Sequence, residues 1–416
     1  MKLWTKNYTL ITIASTLGAI GGIAGEFALS FLVFDETGST FSAALVMAIR
    51  FVPYFLIPLF FSTWMDRLPR KPFVVIGDIV NGILYGLAGF YLLNYKFSYI
   101  GYLGFSLLLA SIGAFDDLAY NSIYPNLIPE GMKDKGYAFS ATLYPTLRVV
   151  VLPLAAALFE AVGVAVILLL QGGLSISAAI IESQIDLVEQ KRMGQERFSL
   201  KLWWKDILDA YAFLKREKGL RSIYSYLSFA NGLHEGYTPL MVAYFRTTPG
   251  LTATMYPFFS VCFFFGRLIS GVLRYFREVP PKKRFPLVFR IYVAYQMMDV
   301  TLLWLPYPVM LANRTLFGFL GNSSATLRRA TIQKYIPDEY RARVNAYESM
   351  LLTGMSGILS LVVGTLGEFM DYRICMTMMA TITIILCFGI VWRNRKAVSY
   401  VYENCDIAPE ARSTVD

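Results

Sequence analysis

Apolar segments of about twenty residues recur roughly a dozen times along this chain, and each has the length a helix needs to cross a hydrocarbon layer about 30 Å thick. Backbone groups inside lipid must find partners within their own segment, so segments of this kind are helices. Of 416 residues, 56% are hydrophobic and only 16% charged, more apolar surface than a soluble fold of this size can hide. The net charge of +9 reports orientation rather than a nucleic-acid partner. Lys and Arg gather in the termini and in alternate loops, with Lys96, Arg246 and Arg373 as the loop exceptions, and this bias puts both chain ends in the cytoplasm of a cell inner (plasma) membrane. The apolar run after Lys2 and Lys6 continues to Phe34, beyond the length of a signal-peptide core, so an uncleaved first helix is expected. Cys262, Cys375, Cys387 and Cys405 lack metal or disulfide spacing.

The chain reads as one half written twice. An offset of 209 carries the turn Ser62 to Lys71 onto a second charged turn, with Ser62 on Gly271 and Asp66 on Tyr275. An offset of 208 carries Ile128-Pro129-Glu130 onto Ile336-Pro337-Asp338. Two parallel repeats of six helices follow, giving an all-α membrane protein with twelve transmembrane helices in two pseudo-repeats.

The expected units are a six-helix bundle over residues 1–184, a cytoplasmic central loop over 185–221, a second bundle over 222–396, and a polar, mobile cytoplasmic tail over 397–416. The first-half helices are expected near 8–34, 41–65, 72–93, 99–120, 137–161 and 165–181, and the second-half helices near 223–245, 252–273, 286–305, 308–327, 344–366 and 374–392. In the central loop Trp203, Ile207, Ala210, Tyr211 and Leu214 recur at helical spacing against Lys201, Lys205, Asp209 and Lys215. That pattern is an amphipathic helix, either lying on the membrane surface or serving as a solvated linker. The glycines Gly354, Gly357, Gly364 and Gly367 are spaced for close helix contact.

Charges inside these helices are the candidate functional residues, because an ionised group at the bilayer centre costs roughly 2.5–3.5 kcal/mol or more and so faces a cavity or a partner. Glu26 lies nine positions inside Asp35 and Arg50 ten positions after Thr40, which puts both about 14–15 Å deep at the helical rise and makes them an expected ion pair. Glu235 repeats Glu26 in the second half at the same offset of 209. Either these acids carry protons, or each locks packing against an arginine. His234 is the one histidine, the side-chain type suited to carrying protons, so a proton role and a packing role both fit. Asp299 and the arginines Arg148, Arg267 and Arg314 are expected to face inward as cavity or substrate residues. Arg290 and Asp116, near inner helix ends, are expected to snorkel or cap. At the first charged turn, Asp66 with Arg67, Arg70 and Lys71 forms a candidate conformational switch, since an acid at a helix end pairs in one state and releases in another; an ordinary charged turn is the alternative.

Asp66-Arg67-Leu68-Pro69-Arg70-Lys71 resembles the loop signature of the major facilitator superfamily. Phe34 to Ser39, Tyr335 to Val344 and Tyr211 to Arg216 resemble its branch of macrolide-efflux-type pumps and the enterobactin exporter. Ser62, Trp64 and Pro69 depart from the signature, and Leu152-Pro153-Leu154-Ala155-Ala156-Ala157 only partly matches the antiporter motif. The resemblance implies a monomeric alternating-access transporter of a small molecule, with helices 1 and 7 facing a central cavity and export by proton antiport. Proton-coupled export of an amphiphile is the expected function; export of an organic anion such as a siderophore or lysolipid, proton-coupled import, and ligand sensing without flux are the alternatives. Protons, substrate and the bilayer are the expected partners. No nucleophile triad, metal cluster or phosphate loop is present, so neither an enzyme nor a cofactor is expected.

Overall fold

The computed structural model describes residues 3–65, 70–129, 132–186, 200–276 and 279–405. Among them every regular element is helical. Two compact units emerge, one of Met1–Phe198 with Phe245–Phe258, the other of Ser199–Tyr244 with Phe259–Asp416.

The first unit holds α1 (Lys6–Thr37), α2 (Thr40–Met65), α3 (Arg70–Asn94), α4 (Tyr99–Leu127) and α5 (Lys133–Ser183). Local chemistry sets their ends. The Thr5 hydroxyl caps α1 by accepting the Tyr8 N–H, and Gly38 closes it at φ 63°, a left-handed conformation that suits glycine. Ser98 caps α4 in the same way through Gly101. Gly163, at φ 76° and ψ 175°, interrupts α5 and divides its 51 residues into two spans, within the gap expected between the fifth and sixth helices. Beyond α5, Asp186 accepts a 2.6 Å bond from Lys6 and receives Asn7 on its carbonyl, which ties the two ends of the bundle's chain together.

The second unit holds α6 (Leu200–Arg216), α7 (Lys218–Glu235), most of α8 (Tyr237–Thr247), α9 (Pro257–Phe276), α10 (Pro281–Thr301), α11 (Tyr307–Tyr335), α12 (Asp338–Phe369), α13 (Tyr372–Leu386) and α14 (Arg395–Glu403). The expected seventh span is longer and broken: α7 stops at Glu235 and α8 resumes after Gly236. A π-helical stretch, Cys387–Trp392, extends α13. With α5 divided and α7 and α8 counted together, the helices make twelve spans and leave α6 and α14 outside the count.

The central amphipathic helix is α6. Its Ile207 and Leu214 are buried, Phe213 stacks on Tyr340 of α12 at 4.7 Å, and Arg343 stands 3.7 Å from Asp209. Trp204, Leu208 and Tyr211 remain exposed on another stripe. The stretch after Lys396, expected as a mobile tail, is instead helical through Glu403 and buries Val398, Val401 and Tyr402 in the second unit's core. Three apolar residues at i, i+3 and i+4 give that short segment a face to dock, which outweighs its polar composition.

Several described glycines carry close approach, and Gly354 of the expected series is not among them. Gly354 on α12 faces open space, whereas Gly232 and Gly236 receive α12: a Cβ on Gly232 stands 2.8 Å from the Met355 carbonyl, and one on Gly236 2.5 Å from Val363. In the second unit α9 and α11 meet through a reciprocal pair, a Gly266 Cβ falling 1.9 Å from the Thr315 carbonyl and a Gly318 Cβ 2.0 Å from that of Phe263. In the first, Gly82 of α3 and Gly172 of α5 block each other at 2.9 and 2.7 Å. Either of two facing helices can supply the small residue that lets them approach. Gly266→Val is expected to destabilise the detergent-purified protein by about 1–3 kcal/mol through overpacking, read as a lower thermal midpoint, whereas Gly104→Ala, which faces open space, leaves the midpoint unchanged.

Candidate functional site

Both units carry charged groups inside their membrane helices. In the first, Glu26 is exposed on α1, while its neighbours Gly25 and Phe27 are buried against the bundle. Arg50 of α2 lies in the field of Glu26 and of Tyr54, Tyr85 and Tyr102, so the two residues matched by depth are neighbours, although no contact within 4.0 Å joins them as the expected ion pair. Tyr144 of α5 lies within the electrostatic reach of both and of Arg148 one turn on. Gly21 and Gly25 explain why the polar side chain of Gln171 fits beside α1, since a Cβ at Gly25 would overlap the Gln171 amide. Asp116 does not snorkel or cap. Its Oδ1 is buried without a partner, as is Oε2 of Glu182, and with Asp78 they form an acidic neighbourhood that composition gave no reason to expect, because the three are remote in sequence.

Arg246, left by the sequence as a loop cation, binds Asp35 within this same unit at 2.5 Å and stands 3.7 Å from Glu160. Its guanidinium lies over Phe31 and Phe159. Of the expected switch, Asp66 and Arg67 lie outside the described residues; Lys71 donates to the carbonyls of Ser183 and Ile185 at 2.7 Å, and Arg70 opens α3.

In the second unit Asp299 of α10 and Arg314 of α11 pair at 2.6 Å, with side chains 1% and 8% exposed. Asn313 steadies the pair, accepting from Arg314 at 3.0 Å and donating to the Met298 carbonyl. Arg314 also lies 4.3 Å from the centre of the Phe317 ring. Phe317 in turn stacks against His234, whose Nδ1 is 3.8 Å from the second Asp299 oxygen. The partner of His234 is therefore Asp299, three helices on, and the adjacent Glu235 is exposed. Arg267 is exposed on α9 and opens onto a small cavity beside His234 that Arg328 also lines. Arg328 was missed because the apolar run ends at Leu327 and the Arg328-Arg329 doublet reads as a loop; α11 in fact continues to Tyr335.

A chain of two parallel six-helix repeats with charged groups set inside both is the arrangement of a membrane transporter. The family model for the Major Facilitator Superfamily matches residues 7–298. The chain belongs to this superfamily. Solved major facilitator transporters share the fold over almost the whole chain. A bacterial homologue of the human lysosomal transporter Spinster, in an inward-facing and unoccupied conformation, superposes with a TM-score of 0.69 at 12% identity, covering 97% of this chain and 98% of its own. The nucleoside transporter NupG gives 0.70 at 14%, covering 93% and 99%. A bacterial homologue of the iron transporter ferroportin gives 0.65 at 17%, covering 96% and 98%. No curated protein matches in sequence. At these identities the likeness is one of fold.

The buried pair sets a clear expectation. Asp299→Asn leaves the Arg314 charge without its counter-ion and should destabilise by about 3–5 kcal/mol, while Asp299→Asn with Arg314→Gln should recover part of that loss. Thermal unfolding of Asp299→Asn, Arg314→Gln and the double variant measures both, and losses that simply add in the double variant would exclude coupling between the two residues.

Proposed function

We propose that this major facilitator transporter works by alternating access as a monomer in the cell inner membrane, both termini cytoplasmic, and exports a small amphiphilic molecule in exchange for protons. The observation that carries the reading is Glu26: a carboxylate at membrane depth, exposed on its bundle, held in the field of Arg50. Such a group binds a proton when water reaches it from the acidic side and gives it up to the arginine's field when the other side opens. Coupling then requires only that proton and substrate favour different states. Glu235, exposed at the matching position of the second repeat, is its counterpart, and His234 beside Asp299 is a third proton carrier. Arg50, Arg148, Arg267, Asp299 and Arg314 serve the cargo, and Asp66, Arg67, Arg70 and Lys71 bias the two states. The sequence likeness at Phe34 to Ser39 and Tyr335 to Val344 favours the efflux branch of the family.

The test uses proteoliposomes with an imposed pH gradient and two fluorescent amphiphiles of opposite charge, rhodamine 6G and fluorescein. The expected outcome is that the gradient accelerates movement of one of them against the proton flow, and that Glu26→Gln with Glu235→Gln abolishes the acceleration. Movement along the proton flow makes the protein an importer. Gradient dependence that survives in the double variant removes both acids from coupling.

A further inference from the structure

The cavity beside His234 lies wholly within the second unit and holds about 220 Å³, on the order of seven waters' worth of liquid. That is smaller than the roughly 300–1,000 Å³ of drug-sized sites, so it suits a single ring with one polar group, or the head of something longer. Its walls are aromatic. Phe263 and Phe317 stand 6.0 Å apart, Tyr295 meets Phe317 edge-on at 5.4 Å, and His234 lies parallel to Phe317 at 5.6 Å. Two arginines line it, Arg267 from α9 and Arg328 from α11.

Neither arginine has an ion-pair partner among the described residues. Arg267 rests over Phe263 and Phe264 at 5.6 and 5.7 Å, which leaves its N–H groups open, and Arg328 donates to the Tyr292 hydroxyl at 3.3 Å. Glu348 lies in the field of Arg328 and Arg329 from outside the cavity lining, and Asp299 is spent on Arg314. Four arginines here face two carboxylates, so the cavity keeps an excess of positive charge. Gln296 adds an independent sign. Its side chain is 3% exposed and lines the cavity, and its Oε1 accepts nothing from the protein. A buried acceptor without a donor is costly, and this one opens on a cavity from which a bound molecule can supply the donor.

We propose that this cavity binds an aromatic organic anion, its acid group held by Arg267 and Arg328, its ring against the aromatic wall of Phe263, Tyr295 and Phe317, and a ring N–H or O–H meeting Gln296. The inference rests on the transport reading above and names the chemical class of the cargo. Arginine suits the role because its planar fork matches a carboxylate while its face stacks on rings. Asn231 and Asn322 at the cavity wall supply further polar contacts.

Isothermal titration of the full chain in detergent tests it with three probes of one size and different charge: benzoate, benzamide and benzylamine. Benzoate is expected to bind at least about tenfold more tightly than benzamide, as charge-assisted bonds exceed neutral ones, and benzylamine not to bind. Arg267→Gln, at an exposed helix position that leaves the core intact, is expected to bring benzoate down to the benzamide level, and 4-hydroxybenzoate should lose its advantage over benzoate in Gln296→Leu. Benzylamine binding as well as benzoate, a benzoate affinity unmoved by Arg267→Gln, or binding of none of the probes would overturn the proposal. Because titration needs no gradient, a wrong cavity leaves gradient-driven flux of the Glu26 experiment standing, and a wrong coupling scheme leaves benzoate binding standing.

Discussion

Lipid is as apolar as leucine, so helices in a bilayer gain little by hiding hydrophobic side chains from their surroundings and must hold one another by contact. That constraint explains the most crowded points of this protein. Gly82 with Gly172 in one unit and Gly266 with Gly318 in the other let backbones approach until a single added carbon would collide with a carbonyl. Dispersion and weak backbone contacts accumulate only at such distances. Small residues also make room for polar ones, as Gly21 and Gly25 do for Gln171 between α1 and α5.

The two units treat their charges differently. Glu26 and Arg50 are matched by field and neither is fully enclosed. Asp299 and Arg314 are closed on each other, almost without exposure, and steadied by Asn313. A pair of the first kind can exchange partners at small loss, whereas a pair of the second holds its geometry because separation strands a buried charge. His234 touches the fixed pair through Phe317 and Asp299 and also borders the arginine cavity, so a single aromatic ring separates that cavity from the pair.

Much of the architecture was legible in the sequence because bilayer thickness and loop charge are strong, local signals. The break between the fifth and sixth helices fell at Gly163, and the depth match of Glu26 with Arg50 reappears as proximity, since helical rise converts spacing into height. What was not legible depended on pairing between distant segments. Asp78, Asp116 and Glu182 converge only after three helices pack, and Arg328 looked like a loop residue because hydropathy ends where a helix becomes polar, not where it unwinds. That Gly232 and Gly236 admit α12 was not legible for the same reason: sequence shows which residues are small, but not which helix faces them.

The last helix changes how the chain's end should be regarded. Tyr402 is 1% exposed, Arg284 reaches Cys405 at 2.9 Å, and a Cβ on Gly219 at the start of α7 would lie 2.3 Å from the Ala397 carbonyl. Residues 395–405 thus act as a plug under the second bundle, seated against the first turn of the helix that ends at Glu235. A fluorescent fusion or affinity tag spliced directly after Lys396, where hydropathy says the membrane part is over, would pull that plug; one joined beyond Cys405 keeps it seated.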